Sequence, residues 1–327
     1  MFVPHTLAVA LLLMAVSALC WGSWANSYKG TKSYRFELFY WDYAVSIFFT
    51  SLLLALTLGM VSRDGTDFLS NLRTVDRGNL GYALLAGVIF NVANILLVAG
   101  IDMAGLAIAF PVSIGIALVV GVVMSYIQQP RGDAILLGLG VVSAVVAIIM
   151  DGLAYAQLGS QRRDASRKSL LICTVSGLLM GSFAPLIAHA MSRGNTLGPY
   201  GAGVFFTFGA WLCCFAANVY LMRHPLVGDP VDFHGYFKAG FQNHALGLVG
   251  GGIWAMGTVF NFVAASLTGV AISYALGQAA PMVAAIWGIF VWKEFAGAGP
   301  KAKIYLGLMF IFYVFAIVLI SQAYRRS

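Results

Sequence analysis

Apolar residues run along this chain in ten long blocks, separated by short polar stretches. Each block is close to the roughly 20 residues that an α-helix needs to cross the hydrocarbon core of a bilayer. Within a block the apolar residues are continuous and do not alternate with polar ones, which favours helices over the strands of a membrane barrel. The pattern predicts ten transmembrane helices, at about residues 6–25, 38–61, 80–101, 104–127, 134–154, 169–191, 201–222, 245–265, 268–292 and 303–323.

A short sequence motif occurs twice within these blocks. Gly-Val-Ile-Phe leads into Gly-Leu-Ala-Ile-Ala-Phe over residues 87–110, and 164 positions later Gly-Gly-Ile-Trp leads into Gly-Val-Ala-Ile-Ser-Tyr over residues 251–274. A second repeated motif is Gly-Ser-Trp-Ala at 22–25, which returns as Gly-Ser-Phe-Ala at 181–184. Two related units of five spans each must cross the membrane in opposite directions, because five is an odd number. The sequence therefore predicts an inverted repeat of the kind found in secondary transporters.

The predicted organisation has a first five-helix repeat at 1–158, a basic linker at 159–168 and a second five-helix repeat at 169–327. Proline lacks the backbone N–H and clashes with the preceding helical turn. Pro111, Pro185 and Pro281 therefore predict interruptions of the fourth, sixth and ninth spans. Interruptions of this kind often line the cavity of a transporter, and the alternative is a kink that a membrane helix tolerates.

Composition agrees with a membrane protein: 60% of the residues are hydrophobic and 9% are charged, against about 25% charged residues in soluble domains. The net charge of +7 is spread over short loops, so it indicates topology and not nucleic-acid binding. Alternate loops carry twelve Lys and Arg on one side and seven on the other. Because the richer side normally faces the cytoplasm, we expect a multi-pass protein of the cell (inner) membrane with both termini outside.

No chemistry of catalysis or metal binding is indicated. The four cysteines, Cys20, Cys173, Cys213 and Cys214, lie inside apolar blocks and have no metal-binding spacing, so they predict neither disulfides nor a metal site. The histidines and aspartates of residues 223–244 lack the helical i, i+4 spacing of a zinc site. Paired acids and nucleophile motifs are missing as well. We therefore expect a protein that is not an enzyme and that uses no cofactor.

Acidic residues open the second span. Asp42 is followed by about 18 mostly apolar residues, and a charge at such a depth costs a few kcal/mol unless it is protonated or paired. A carboxylate that passes between dry and wet surroundings changes its proton affinity, so Asp42, together with Glu37, is predicted to couple transport to protons. The alternative is an acid at the membrane interface, paired with Lys29, Lys32 or Arg35 within an aromatic belt.

Uncharged polar and aromatic side chains within the spans are predicted to bind the substrate. Amides offer both donors and acceptors, and aromatic rings offer flat apolar faces. This combination suits a small neutral polar metabolite, either a sugar or a ureide or nucleobase-like heterocycle. The alternative for each polar residue is a hydrogen bond between helices. The predicted contacts are Trp21, Trp24, Tyr40, Trp41, Asn91, Asn94, Phe110, Ser113, Trp254, Thr258, Asn261, Tyr274 and Gln278.

The chain resembles the drug/metabolite transporter superfamily, and within it the group of glucose/ribose porters, rhamnose–proton symporters and plant ureide permeases. The resemblance covers almost the whole length, and the aspartate–tyrosine pair of the second span and the spaced polar residues of the ninth look most like ureide permeases. The motifs that carry it are Gly22-Ser23-Trp24, Tyr40-Trp41-Asp42-Tyr43, Leu58-Gly59, Ser182-Phe183-Ala184-Pro185, Gln278, Pro281, Trp287-Gly288 and Glu294.

This resemblance implies a five-plus-five inverted repeat and alternating access for a small polar solute, with proton symport. The chain departs from plant ureide permeases in having only a short link between its halves. Its third and fourth spans do not reproduce their pattern, so Asn91, Asn94 and Ser113 inherit no role. The expected partners are a small-molecule substrate, a proton and the lipid bilayer, with no nucleic acid, in a monomer or homodimer. The alternative function is export of lipophilic or cationic compounds.

Overall fold

The computed structural model describes residues 1–61, 66–158, 166–225 and 229–325, apart from the side chains at 102, 106 and 107. Within these residues, ten helices are long and apolar enough to cross a membrane, which confirms the predicted number of spans. In chain order they are Leu7–Lys29, Phe36–Met60, Arg77–Ile101, Ile108–Gln128, Ala134–Ala156, Arg167–Ser192, Pro199–Arg223, Phe241–Thr268, Val270–Val291 and Pro300–Arg325.

Two short helices lie between spans. Phe68–Thr74 follows the second span, and Phe233–Lys238 precedes the eighth. Each begins after an aspartate, Asp67 or Asp232, whose side chain accepts a backbone N–H bond from the first turn. The bond from the backbone N–H of Ser70 lowers the pKa of the Asp67 carboxyl. The apolar blocks did not predict either helix, since six or seven residues are too short for a helical period to show.

The ninth span is broken. Helix Val270–Gly277 ends before Gln278, and helix Ala280–Ile286 starts with Pro281 in its first turn, so the predicted interruption is confirmed. A π-helical turn, Trp287–Val291, then completes the span. The break therefore places Gln278 between two helical segments.

The predicted interruptions at Pro111 and Pro185 are wrong. Both prolines lie inside continuous helices, Leu106–Gln128 and Arg167–Ser192. A proline removes one backbone hydrogen bond, and membrane helices tolerate this when neighbouring chains and local adjustments satisfy the freed carbonyl. Packing of the whole span outweighs the loss of one bond at these two positions.

Several of the main contacts between spans keep equivalent partners when the first five spans are exchanged with the last five. The third span packs on the sixth and seventh, and the eighth packs on the first and second. The fourth packs on the sixth, the ninth on the first, and the fifth on the tenth. Gly105 lies at the corner between spans three and four, with φ/ψ of 80°/162°. Gly269 lies at the corner between spans eight and nine, with φ/ψ of 85°/155°.

The repeated glycines also make matching contacts. A Cβ on Gly87 would collide with the carbonyl oxygen of Phe206 in the seventh span, and one on Gly251 would collide with that of Tyr43 in the second span. These contacts support the proposal that 1–158 and 169–327 are inverted repeats. Residues 159–165 of the predicted linker lie outside the described part of the chain.

Candidate functional site

A cavity of about 220 Å³ lies among the central spans. Its walls are mainly apolar and include eight aromatic rings, and Asn94 and Gln278 are the amides among its lining residues. Lys, Arg, Asp and Glu are absent from the lining within the described part of the protein. The lining rings are Trp21, Trp24, Tyr43, Phe90, Phe110, Phe183, Trp254 and Tyr274.

The rings are held in fixed positions. Trp21 stacks on Trp254 with ring centroids 6.5 Å apart and 25° between the planes. The indole Nε1 of Trp21 donates to the hydroxyl of Thr258 at 3.0 Å, which fixes the rotation of the ring. Phe90 lies 4.9 Å from Trp254 on another side. A flat solute would therefore meet preformed apolar faces, as is usual for small-molecule sites.

The structure brings seven of the thirteen predicted substrate contacts together around this cavity. They are Trp21, Trp24, Asn94, Phe110, Trp254, Tyr274 and Gln278. Tyr43, Phe90 and Phe183 also line it, although the sequence reasoning missed them as contacts. Phe90 occupies the position of Trp254 in the repeated motif, so the repeat itself could have identified Phe90 as a contact. Six predicted contacts lie outside the lining: Tyr40, Trp41, Asn91, Ser113, Thr258 and Asn261.

Two of these six support the cavity from behind. The buried Tyr40 hydroxyl donates to Asn91 Oδ1 at 2.5 Å. Asn94, which lines the cavity, donates to the same hydroxyl at 3.4 Å. Tyr40 and Asn91 thus position the Asn94 amide.

The others hold helices together. Asn261 donates to the carbonyl of Ser273 at 2.9 Å, and Ser113 donates to the carbonyl of Cys173 at 2.9 Å. Thr258 accepts the hydrogen bond from Trp21 of the first span and donates back to its own helix, and Trp41 donates from Nε1 to the sulfur of Met222 in the seventh span. These contacts match the structural alternative left open by the sequence.

Asp42 lies outside the cavity, one residue before Tyr43. It is 5% exposed. Its Oδ1 accepts a hydrogen bond from Tyr236 at 2.6 Å, and its Oδ2 accepts one from Tyr34 at 3.4 Å and lies 2.8 Å from Nδ1 of His244. Burial, together with the Asp42 charge, raises the pKa of both tyrosine hydroxyls, so they remain donors. Asp42 therefore joins the second span to the short helix Phe233–Lys238 and to the eighth span.

Glu37 has a different environment. Arg35 donates to both of its carboxylate oxygens, at 2.8 Å and 3.2 Å. This fork raises the pKa of the Arg35 guanidinium. The alternative for both acids was an ion pair with a basic residue of the preceding loop. The structure shows this pair for Glu37. Asp42 pairs instead with His244.

Comparison with known proteins identifies the family. The sequence profile described as Ureide permease matches residues 39–170 and 167–323, most of the chain. The chain belongs to the ureide permease family. Two relatives of this family in Arabidopsis thaliana, "Ureide permease 1" and "Ureide permease 5", are 20% and 19% identical to it. The alignments cover 98% and 100% of this chain and 98% and 97% of the relatives.

This ureide permease family member is a membrane transport protein. Its alignment to Ureide permease 1 spans 385 positions, more than its own 327 residues, so the relative carries segments without a counterpart here. A solved structure titled "Crystal structure of protein" has the same fold, with a TM-score of 0.62 and 16% identity over 98% of this chain and 99% of that one.

Proposed function

We propose that the chain is a proton-coupled transporter of a small, neutral, planar solute that carries amide or ureide groups. The observation that carries this proposal is the chemistry of the central cavity, where aromatic rings surround two neutral amides. Planar ring faces suit a heterocycle, and Asn and Gln can each pair with an N–H and a C=O of a ureide. The names of the two plant relatives point to the same substrate class.

A monosaccharide fits the cavity less well than a heterocycle. Its hydroxyl groups would all leave water, and each buried hydroxyl without a partner is costly. Two lining amides do not supply enough partners. A cationic drug, the substrate of the alternative function, would need a carboxylate in the cavity wall. Asp42 does not provide one, because it lies outside the lining and is held by Tyr34, Tyr236 and His244.

Proton coupling is proposed for Asp42. The pair that it forms with His244 links the second and eighth spans, and these spans carry the cavity residues Tyr43 and Trp254. Protonation of Asp42 removes the negative charge that holds His244, so it would change how the two spans pack. Glu37, paired with an arginine at the helix start, is assigned to anchoring that end of the span.

Alternating access is supported by two aromatic clusters at equivalent positions of the proposed repeat. In the first, Phe90, Phe183 and Phe206 are mutually in contact, with ring centroids 5.2–5.6 Å apart. This cluster lies toward the side of the membrane that carries Asp76 and Asn195. There, Asp76 of the first half accepts a hydrogen bond from the backbone N–H of Asn195 in the second half. We assign the first cluster to a closed gate.

The second cluster consists of Trp24, Tyr43 and Trp254. Trp24 and Tyr43 are 4.9 Å apart, but Tyr43 and Trp254 are 6.4 Å apart. The second cluster is thus looser than the first, and we assign it to a gate that is open toward the side of Lys29. In the state that opens toward the other side of the membrane, the first cluster would be loose and open, and the second would be tightly packed and closed.

The substrate class is tested by binding. Purified protein is heated with allantoin, uracil, xanthine, glucose, ribose or a lipophilic cation, and the unfolding midpoint is compared with that of the free protein. A ligand that binds only the folded state raises the midpoint by mass action. We expect stabilisation by a ureide or a nucleobase. Stabilisation by the sugars alone, or by the cation alone, would contradict the proposal.

A further inference from the structure

Another buried acid lies away from both the cavity and Asp42. Asp151, in the fifth span, is 6% exposed, and its Oδ1 has no hydrogen-bond partner. The hydroxyl of Tyr313, in the tenth span, is also buried without a partner and is close enough to interact electrostatically with Asp151. The charged form of an acid is strongly disfavoured in such a place.

Three features of the backbone turn Glu294 toward Asp151. The π-helical turn Trp287–Val291 ends the ninth span, and Lys293 follows with a φ of 53°. The N–H of Glu294 then bonds back to the carbonyl of Gly288 at 2.9 Å. A Cβ on Gly288 would lie 2.7 Å from Glu294 Oε2, so a larger residue there would displace the carboxylate end of this side chain. Non-glycine residues at positive φ and π-turns are both more frequent at functional sites.

Glu294 connects the buried acid to the protein surface. Tyr155, one turn after Asp151, donates its hydroxyl to Glu294 Oε2 at 3.0 Å. Both Tyr155 and Glu294 interact electrostatically with Asp151. Glu294 Oε1 pairs with Lys29, whose side chain is 45% exposed. A row of polar groups therefore runs from the surface through Glu294 to Tyr155, which lies four residues after Asp151 on the same face of the fifth span.

We propose that Asp151 is a second proton-binding site, which holds a proton in this conformation and exchanges it through Tyr155 and Glu294. The proton binds at the carboxylate and converts it to the neutral acid, with no other bond made or broken. The groups that face it are Tyr155 on its own span, Tyr313 on the tenth and Glu294 after the ninth, with Lys29 behind Glu294. A role in transport rests on the proposed function, but proton binding itself does not.

Infrared spectroscopy of the full chain in liposomes tests proton binding without any substrate. Exposed Asp and Glu, with pKa values of about 3.9 and 4.3, are ionised at neutral pH, so a carbonyl stretch of a protonated carboxyl reports a buried acid. We expect this band in the wild-type protein and its loss in Asp151→Asn. Asp229→Asn changes an exposed acid and should leave the band intact.

The outcomes separate this site from the proposed function. Absence of the band in the wild-type protein, which needs no variant to fold, or its persistence in folded Asp151→Asn overturns the proposal. In liposomes that transport a solute, Asp151→Asn should lower the number of protons moved per solute, and an unchanged number would reduce Asp151 to a fixed structural acid. Liposomes that show the band but move no solute would overturn the proposed function and leave the proton site in place.

Discussion

At the scale of single residues, the two amides of the cavity determine which solute is held. Asn94→Ala and Gln278→Ala each remove a donor and an acceptor from the lining. Because one hydrogen bond contributes about 0.5–1.5 kcal/mol, we expect the dissociation constant of the solute to rise about threefold to tenfold for each variant. Titration of the purified protein measures it. Gln157→Ala, which truncates an exposed glutamine outside the cavity, is the matched control. An equal loss in this control would contradict the assignment.

Single glycines determine how closely the spans approach. Gly251→Ala would force a Cβ against the carbonyl of Tyr43 in the second span. Overpacking of this kind costs about 1–3 kcal/mol, so we expect a lower unfolding midpoint in detergent. Gly307→Ala, on the exposed face of the tenth span with nothing within 4 Å of the new Cβ, should leave the midpoint unchanged or raise it, since alanine favours helix by about 1 kcal/mol. Equal effects at both positions would contradict the packing argument.

Residue types within a span did not reveal which side chains share the cavity. Asn94 and Asn261 read alike in the sequence, but Asn94 lines the cavity while Asn261 bonds to Ser273. The direction of a side chain depends on how each span rotates against its neighbours, which hydropathy does not encode. Asp151 shows the same limit, because its burial depends on the tenth span.

At the scale of elements, the ten spans could be predicted, because length and apolar continuity determine a membrane helix. The broken ninth span was also predictable from Pro281. The continuous helices around Pro111 and Pro185 could not be predicted, since neighbouring spans decide whether a proline bends or breaks a helix. The partner of Asp42 could not be predicted either, because His244 is 202 residues away in the chain.

The contact between the second and eighth spans yields the coupling prediction. Asp42→Asn removes the charge that pairs with His244 and keeps the size of the side chain. In liposomes with an imposed pH difference, we expect this variant to equilibrate the solute but not to accumulate it. Asp229→Asn changes an exposed acid that precedes the short helix Phe233–Lys238. This variant should accumulate the solute as the wild type does. Accumulation by Asp42→Asn would show that the coupling proton binds elsewhere, and Asp151 would be the next residue to examine.

At the scale of the whole molecule, the charge of the loops and the position of the cavity lead to one orientation. The side that carries Lys29 has twelve of the nineteen Lys and Arg residues, so we propose that it faces the cytoplasm. Trp24 and Ala25 line the cavity close to that end of the first span. The opposite side is closed by bonds from Asp76 and Asn79 to the segment around Asn195. The described conformation is therefore proposed to open inward.

Labelling of single introduced cysteines checks this orientation. Ala25→Cys should react with a membrane-impermeant maleimide in inside-out vesicles and not in intact cells, because Ala25 is exposed and lines the cavity. Thr74→Cys, exposed between the second and third spans, should show the opposite pattern. The wild-type protein is the background control, since Cys20, Cys173 and Cys214 are buried. Bound solute should slow labelling at Ala25→Cys but not at Thr74→Cys. Exchange of the two patterns would reverse the orientation, and failure of the solute to protect Ala25→Cys would contradict its place in the binding cavity.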